Sequence, residues 1–169
     1  MITDGIRVDF LEACSLGCLQ RAELLLIDHP ILIDLTLDED GNTGLMMATR
    51  YEQEDIARLL VQYGTDVSVV DNWGYSALFI AARYGRTNII RLLLESGADV
   101  NLKNNNGSTA LVLASQYGKT CAAEILIAYG ANIDSKDNRD FTALRFTGFH
   151  SNTSQSQKQT MRNMLKALT

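Results

Sequence analysis

Tyrosine recurs along this chain at a constant spacing. Arginine and other aromatic residues, which often occur in protein-binding sites, lie near the recurring tyrosines. Three of the six tyrosines stand at this spacing, namely Tyr51, Tyr84 and Tyr117. Aromatic residues and arginine dominate the hot spots of protein–protein interfaces. We therefore expect the tyrosines to form a ladder down one face, where a partner can contact them. The alternative is that each tyrosine covers a neighbouring helix and serves packing.

Two further aromatic residues, Trp73 and Tyr75, flank Gly74 in a predicted turn. A turn gives large aromatic side chains little to pack against. Together with Arg83 and Tyr84, they indicate a contact patch in the middle of the chain. A single surface tryptophan is also common in soluble proteins, so an isolated exposed Trp73 is the competing interpretation.

Residues suited to catalysis are few, and each has a simpler explanation. His29 stands beside Pro30 in a predicted connection, and His150 lies in a polar, aperiodic segment. Glycine-rich phosphate-binding motifs are absent, and the glycines recur at the same constant spacing as the tyrosines, which indicates turns. We expect no enzymatic activity, no metal and no cofactor.

Composition narrows the class of partner and the compartment. The 169 residues are 46% hydrophobic and 21% charged, with a formal net charge of −5 and no run of basic residues, so we expect no nucleic-acid binding. No apolar run reaches the ~18–20 residues of a membrane span. The cysteines, whose spacing fits no zinc site, are interpreted as reduced thiols: Cys14, Cys18 and Cys121. We expect a monomer in the cytoplasm, with the nucleus as an alternative.

A repeating unit of about 33 residues accounts for these spacings. The stretch 71–103 aligns with its neighbours, so that Gly74 falls on Gly41 and Gly107. The repeats are predicted at about 39–71, 72–104 and 105–137. Atypical capping repeats are predicted at about 1–38 and 138–169, the latter with an irregular insertion over 147–157 and a final helix near 158–168.

Each full repeat contains the signals of a turn followed by two short helices. The predicted turns are 39–42, 72–75 and 105–108, each around a glycine. The first helix follows an expected N-cap hydroxyl, from Thr43, Ser76 or Thr109. Each second helix is expected to end at a left-handed glycine, namely Gly64, Gly97 or Gly130. In the first repeat, Leu19 and Leu24 are placed in the apolar stripe with Ala22, Leu25 and Leu26, and Pro30 marks the end of that helix.

These residues together resemble the ankyrin repeat family. The central repeat carries the family's motif as Gly74, Ser76-Ala77-Leu78-Phe79, Ala81-Ala82, Gly85, Leu92-Leu93-Leu94 and Gly97-Ala98-Asp99-Val100-Asn101. The motif proline is replaced by Gly44, Ala77, Ala110 and Ala143. The resemblance implies an all-α fold, an ankyrin-repeat solenoid of stacked helix-turn-helix units linked by β-turn hairpin loops, in a single domain over 1–169.

The resemblance also implies a partner-binding surface. In the family, turn tips and the first helices form a concave binding face, whose counterparts here are Arg50, Tyr51, Asn72, Trp73, Tyr75, Arg83, Tyr84, Gln116, Tyr117 and Phe141. The segment ending at Asn101 is similar to the ankyrin segment that asparaginyl hydroxylases modify. Without such an enzyme, Asn101 is only a turn residue.

The function these features predict is a non-catalytic protein-interaction module or adaptor that binds a protein partner through its concave face. One alternative is an ankyrin effector that an intracellular microbe secretes to act on host proteins. Another is a regulatory subunit that inhibits an enzyme by occluding it.

Overall fold

The described part of the chain consists of helices joined by turns. A computed structural model describes residues 3–147 and 154–167, and none of them lies in a β-strand, which confirms the predicted all-α class. The helices in these residues are α1 (Asp4–Leu16), α2 (Leu19–Asp28), a 3-10 helix (Pro30–Ile33), α3 (Gly44–Arg50), α4 (Glu54–Gln62), α5 (Ala77–Tyr84), α6 (Thr87–Glu95), α7 (Ala110–Gln116), α8 (Thr120–Ala128), α9 (Ala143–Phe146) and α10 (Gln155–Lys166). They fall into two compact units, Met1–Ala77 and Leu78–Thr169.

The first unit is built on close packing of α1 against α3. Phe10 and Cys14 of α1 are fully buried. A Cβ atom placed on Gly44 would lie 2.8 Å from Cε1 of Phe10 and 3.1 Å from Sγ of Cys14. A side chain at position 44 would therefore require the Phe10 ring or the Cys14 side chain to shift, so glycine allows the close contact between α1 and α3.

Because Cys14 is buried, we expect its thiol to be alkylated differently from the other two cysteine thiols. Removal from water raises the pKa of Cys14 to about 12, whereas Cys18 and Cys121 are exposed. Because the thiolate is the nucleophile, we expect iodoacetamide at pH 8 to alkylate Cys18 and Cys121 in the native protein, and Cys14 only after unfolding. Peptide mass spectrometry of the alkylated protein measures this, and native labelling of Cys14 at the rate of Cys18 would contradict it.

The α2 helix corrects the predicted apolar stripe. Ala22, Leu25 and Leu26 are buried, whereas Leu19 and Leu24 are 40% and 57% exposed. The buried set follows i, i+3, i+4 spacing, so Leu24 points away from the stripe because consecutive helical residues turn by about 100°. The helix ends at Asp28, before Pro30, as predicted.

In the second unit, the core combines small and large apolar residues. Ala81 and Ala114 are completely buried, as is Leu111. The α7 helix packs against α9, and α6 packs against α8. Alanine at these inward positions lets the helices approach closely, as the repeat pattern requires.

The second helices end as predicted at left-handed glycines. Gly64 has a φ of 86°, its N–H donates to the Val61 carbonyl, and the Thr65 N–H donates to the Leu60 carbonyl. This is the Schellman arrangement, which satisfies two carbonyls of the last turn. Gly97 and Gly130 repeat it, with φ values of 91° and 89°.

One first helix ends without the glycine that its counterparts use. Glu52 has a φ of 61°, where Gly85 has 75° and Gly118 has 65°. A left-handed conformation costs a residue other than glycine about 1 kcal/mol. We expect Glu52→Gly to raise the free energy of unfolding by roughly 0.5–1 kcal/mol relative to Glu52→Ala, measured by urea denaturation. The alanine variant removes the same side chain but keeps the strain, so equal stability of the two variants would contradict the explanation.

The turns between repeats begin one residue earlier than predicted. In the 71–75 turn, the Gly74 N–H donates to the Asp71 carbonyl and the Asp71 N–H donates to the Tyr75 carbonyl. The Asp71 carboxylate accepts from the N–H groups of Trp73 and Tyr75, at 2.9 and 2.8 Å. The same side-chain arrangement recurs at the 33-residue spacing, at Asp38, Asn104 and Asp137. This ladder of Asp and Asn side chains fixes the turns.

The predicted N-caps are only partly correct. The Thr43 hydroxyl accepts from the Met46 N–H at 3.4 Å, a long cap bond. Thr109 occupies the same position, but its hydroxyl is buried without a partner in the described structure. The two backbones have almost identical φ and ψ angles, so the backbone of the cap residue does not account for the difference.

The final helix lies close to its predicted place. It begins at Gln155, slightly before the predicted start, and buries Met161 and Leu165. Of the predicted insertion over 147–157, residues 148–153 lie outside the described residues.

Candidate functional site

In the first unit, the predicted contact residues lie at the end of α3 and on the 71–75 turn. Tyr51 is the C-cap residue of α3 and its side chain is 52% exposed. The Arg50 guanidinium donates to Oδ1 of Asn42 at 3.1 Å. Arg50 is therefore held by an internal hydrogen bond, while the tyrosine ring remains open to solvent.

The 71–75 turn is held in place by Asn72 and presents Trp73. The Asn72 side chain donates to the Glu39 carbonyl at 2.8 Å, and its backbone N–H donates to the Asp40 carbonyl at 3.0 Å. Trp73 is 51% exposed. Asn72 thus joins its turn to the preceding one, and the tryptophan projects from a fixed backbone.

In the second unit, Arg83 lies between two tyrosine rings. Its Cζ atom is 4.9 Å from the centre of the Tyr117 ring and 5.7 Å from that of Tyr84. The Arg86 guanidinium also lies over Tyr84, at 5.8 Å. Cation–π contacts of this length are attractive. They hold Tyr84, which is 39% exposed, in a defined position. We call the residues Arg83, Tyr84 and Tyr117 the Arg–Tyr cluster.

A groove of about 430 Å³ adjoins the Arg–Tyr cluster at Tyr84. The Lys119 stem lies over Gly85, where an added Cβ would be 3.0 Å from Cδ of the lysine. The groove is lined by Tyr84, Gly85, Gly118, Lys119, Thr120, Cys121, Ala122, Ser156 and Thr160. Sequence reasoning missed Lys119, although it stands one repeat after Arg86, directly before the second helix of its own repeat.

Phe141 belongs to another cluster of the second unit. Its ring meets that of Phe146 edge to face, with centroids 5.9 Å apart. The guanidinium groups of Arg139 and Arg145 lie 5.3 and 5.1 Å from its centre. Phe141 is half-buried, and so is Gln116 at the end of α7. The structure therefore gives Phe141 packing contacts of its own, separate from the contacts that join Arg83 to the two tyrosines.

The repeats of this chain match a known protein family. A family model described as ankyrin repeats (3 copies) matches residues 10–104, 63–137 and 96–151. The chain belongs to the ankyrin repeat family. This confirms both the resemblance and the ankyrin-repeat fold that it implied. No curated protein matches the chain significantly. Ankyrin repeats generally mediate protein–protein interactions and are typically non-catalytic.

The candidate hydroxylation site has a structural role in its ankyrin repeat. The Asn101 side-chain amide donates to the Gly130 carbonyl at 3.2 Å, and its oxygen accepts from the Asn132 N–H at 2.8 Å. Asn101 thus joins the ends of two successive ankyrin repeats. Its modification stays a prediction.

Neither a metal site nor a membrane-crossing helix is found among the described residues. No group of three or more His, Cys, Asp or Glu side chains there is arranged to hold a metal ion. No helix among the same residues combines the length and the apolar character that a membrane crossing requires.

Proposed function

We propose that this chain is a non-catalytic protein-interaction module and that its partner contacts the Arg–Tyr cluster. Membership of the ankyrin repeat family supports the general role. The observation that supports this location is the position of the Arg83 guanidinium, 4.9 Å from the Tyr117 ring and 5.7 Å from the Tyr84 ring.

The cluster combines the residue types and the rigidity that binding hot spots need. Tyrosine and arginine are enriched at positions where truncation costs about 2 kcal/mol or more. Arg83 is already stacked before a partner arrives, so less side-chain entropy is lost when it binds. Tyr84 keeps 39% of its surface accessible, which leaves area for a partner to bury.

The first unit supplies a second candidate contact region, made of Trp73 and Tyr51. Trp73 and Tyr51 are each about half exposed. The hydrogen bonds of Asn72 to the preceding turn fix the backbone that carries Trp73. A rigid exposed tryptophan is a suitable interface anchor, because it buries a large area with few rotatable bonds.

Affinity capture with matched tyrosine variants tests this proposal. Tyr84 and Tyr129 belong to the same unit and are both 39% exposed, but Tyr129 lies at the end of α8 and donates to Glu95. We expect Arg83→Ala/Tyr84→Ala to weaken binding of the captured protein by at least about 30-fold, which corresponds to about 2 kcal/mol. Tyr129→Ala should leave the affinity within about threefold of wild type.

The wild-type chain is first used as bait in a lysate of the source cells. The captured partner is then purified, and its affinity for the wild type and for each variant is measured by calorimetry. Circular dichroism verifies that each variant is folded. If the double variant binds as tightly as wild type, the cluster is internal packing and the proposal is wrong.

A further inference from the structure

The groove beside Tyr84 is positively charged in a chain whose net charge is −5. Lys119 lines this groove, and none of the nine lining residues is an Asp or Glu. Arg83 lies against the same tyrosine, 5.7 Å from its ring centre. The local charge is therefore opposite to that of the chain as a whole.

Neither cation is neutralised within the part of the chain that the structure describes. Arg83 and Lys119 form no ion pair with any described residue. Arg83 is held by the faces of two tyrosine rings. Stacking uses the face of a guanidinium and leaves the N–H groups at its edge available, and these match a carboxylate. Such a surface attracts a partner of negative charge and repels a basic one.

The walls of the groove suit a short stretch of peptide. Its volume of about 430 Å³ lies in the range of ligand-binding clefts. The Tyr84 ring provides apolar surface, and Thr120, Ser156 and Thr160 provide hydroxyl groups. An apolar side chain can rest against the ring while the hydroxyl groups bond to peptide amides and carbonyls.

We propose that the groove binds a linear acidic segment of the partner protein. Carboxylates of the segment pair with Arg83 and Lys119, and an apolar side chain lies against the Tyr84 ring. This inference rests on the proposed function and extends it by specifying the chemistry of the partner.

Selection from a display library of random twelve-residue peptides tests the chemistry directly. The bait is the full chain, and the peptides recovered are sequenced and measured by fluorescence anisotropy. We expect the enriched peptides to carry an excess of Asp and Glu around an apolar residue. We expect Lys119→Glu to weaken their binding by at least about tenfold. The control is Arg91→Glu, an equal charge reversal at an exposed residue of α6 outside the groove, which should change the affinity less than about threefold.

Cys121 reports whether a selected peptide lies in the groove. Cys121 lines the groove and is exposed, whereas Cys18 is exposed in the other unit. A saturating acidic peptide should slow alkylation of Cys121 by at least about fivefold, since a bound segment excludes the reagent from groove surface. The rate at Cys18 should not change.

The outcomes separate this inference from the proposed function. If the enriched peptides have no acidic excess, if Lys119→Glu binds them normally, or if Cys121 stays reactive, the inference is overturned. It is also overturned if the library yields no peptide. In each case the proposed function stands as long as Arg83→Ala/Tyr84→Ala weakens binding of the partner protein by at least about 30-fold. If that variant has no effect on capture, both fail.

Discussion

We expect Leu26→Ala to lower the free energy of unfolding by about 2–4 kcal/mol, and Leu24→Ala to lower it by less than about 1 kcal/mol. Both residues are leucines of α2, but Leu26 is 1% exposed and Leu24 is 57% exposed. Truncation at Leu26 loses apolar burial and leaves a cavity, whereas truncation at Leu24 removes atoms that water already covers.

Urea denaturation followed by circular dichroism measures the difference. The two variants change the same residue type in the same helix, so helix propensity cancels between them. The comparison therefore tests whether the first, atypical repeat is folded on the core of its unit. Equal losses at the two positions would show that the burial pattern of α2 is wrong.

The second large effect is expected at Asp137, whose side chain fixes the turn over 137–141. Its carboxylate accepts from the N–H groups of Arg139 and Phe141, at 2.8 and 2.9 Å. The Arg139 guanidinium also donates to it, at 3.0 Å, and the Asp137 side chain is 1% exposed. We expect Asp137→Ala to lower the free energy of unfolding by about 2–3 kcal/mol, because it leaves these N–H donors without an acceptor.

The chain itself supplies the control. Asn104 occupies the same position in the preceding repeat, where its side-chain oxygen accepts from the N–H groups of Asn106 and Ser108 at 3.0 Å. Asp137→Asn keeps this acceptor and should cost less than about 1 kcal/mol. If asparagine is as destabilising as alanine, the role we assign to the side-chain oxygen is wrong.

Acid should separate wild type from Asp137→Asn. Burial raises the pKa of Asp137, but hydrogen bonds from the Phe141 and Arg139 amides and from the Arg139 guanidinium outweigh this, so the pKa lies below its ordinary value. A carboxyl with a lowered folded-state pKa stabilises the protein above its unfolded pKa of about 3.9 and loses this contribution as the pH falls through the folded pKa. We therefore expect the stability of wild type relative to Asp137→Asn to decline below about pH 4.5. A constant difference from pH 7 to pH 3 would contradict this.

Repetition made much of this fold predictable from the sequence. Gly64, Gly97 and Gly130 each stand one repeat apart and end their helices in the same way, because only glycine adopts the left-handed conformation without strain. The residues whose side chains fix the turns also recur at this period, namely Asp38, Asp71, Asn104 and Asp137. The role of these side chains was not predicted, because the turns were placed around the glycines and therefore began one residue too late.

Single positions were harder to predict because their state depends on neighbours that the period does not specify. Glu52 adopts the backbone of a glycine, and Leu24 lies outside the stripe that its type predicted. In the candidate site, the recurring tyrosines were evident, but stacking of Arg83 on Tyr117 depends on side-chain rotamers. The groove includes Ser156 and Thr160 of α10, which follow an aperiodic segment, so sequence spacing could not bring them to Tyr84.

Site-specific photo-crosslinking tests the central claim, partner binding at the Arg–Tyr cluster, most directly. A photoreactive phenylalanine analogue, which keeps an aromatic ring, replaces Tyr84 in one sample and Arg91, an exposed residue of α6, in another, and each chain is irradiated in the lysate of the source cells. We expect a single partner protein to crosslink from position 84 and at most weakly from position 91. Crosslinking of equal strength from both positions, or from position 91 alone, would contradict it.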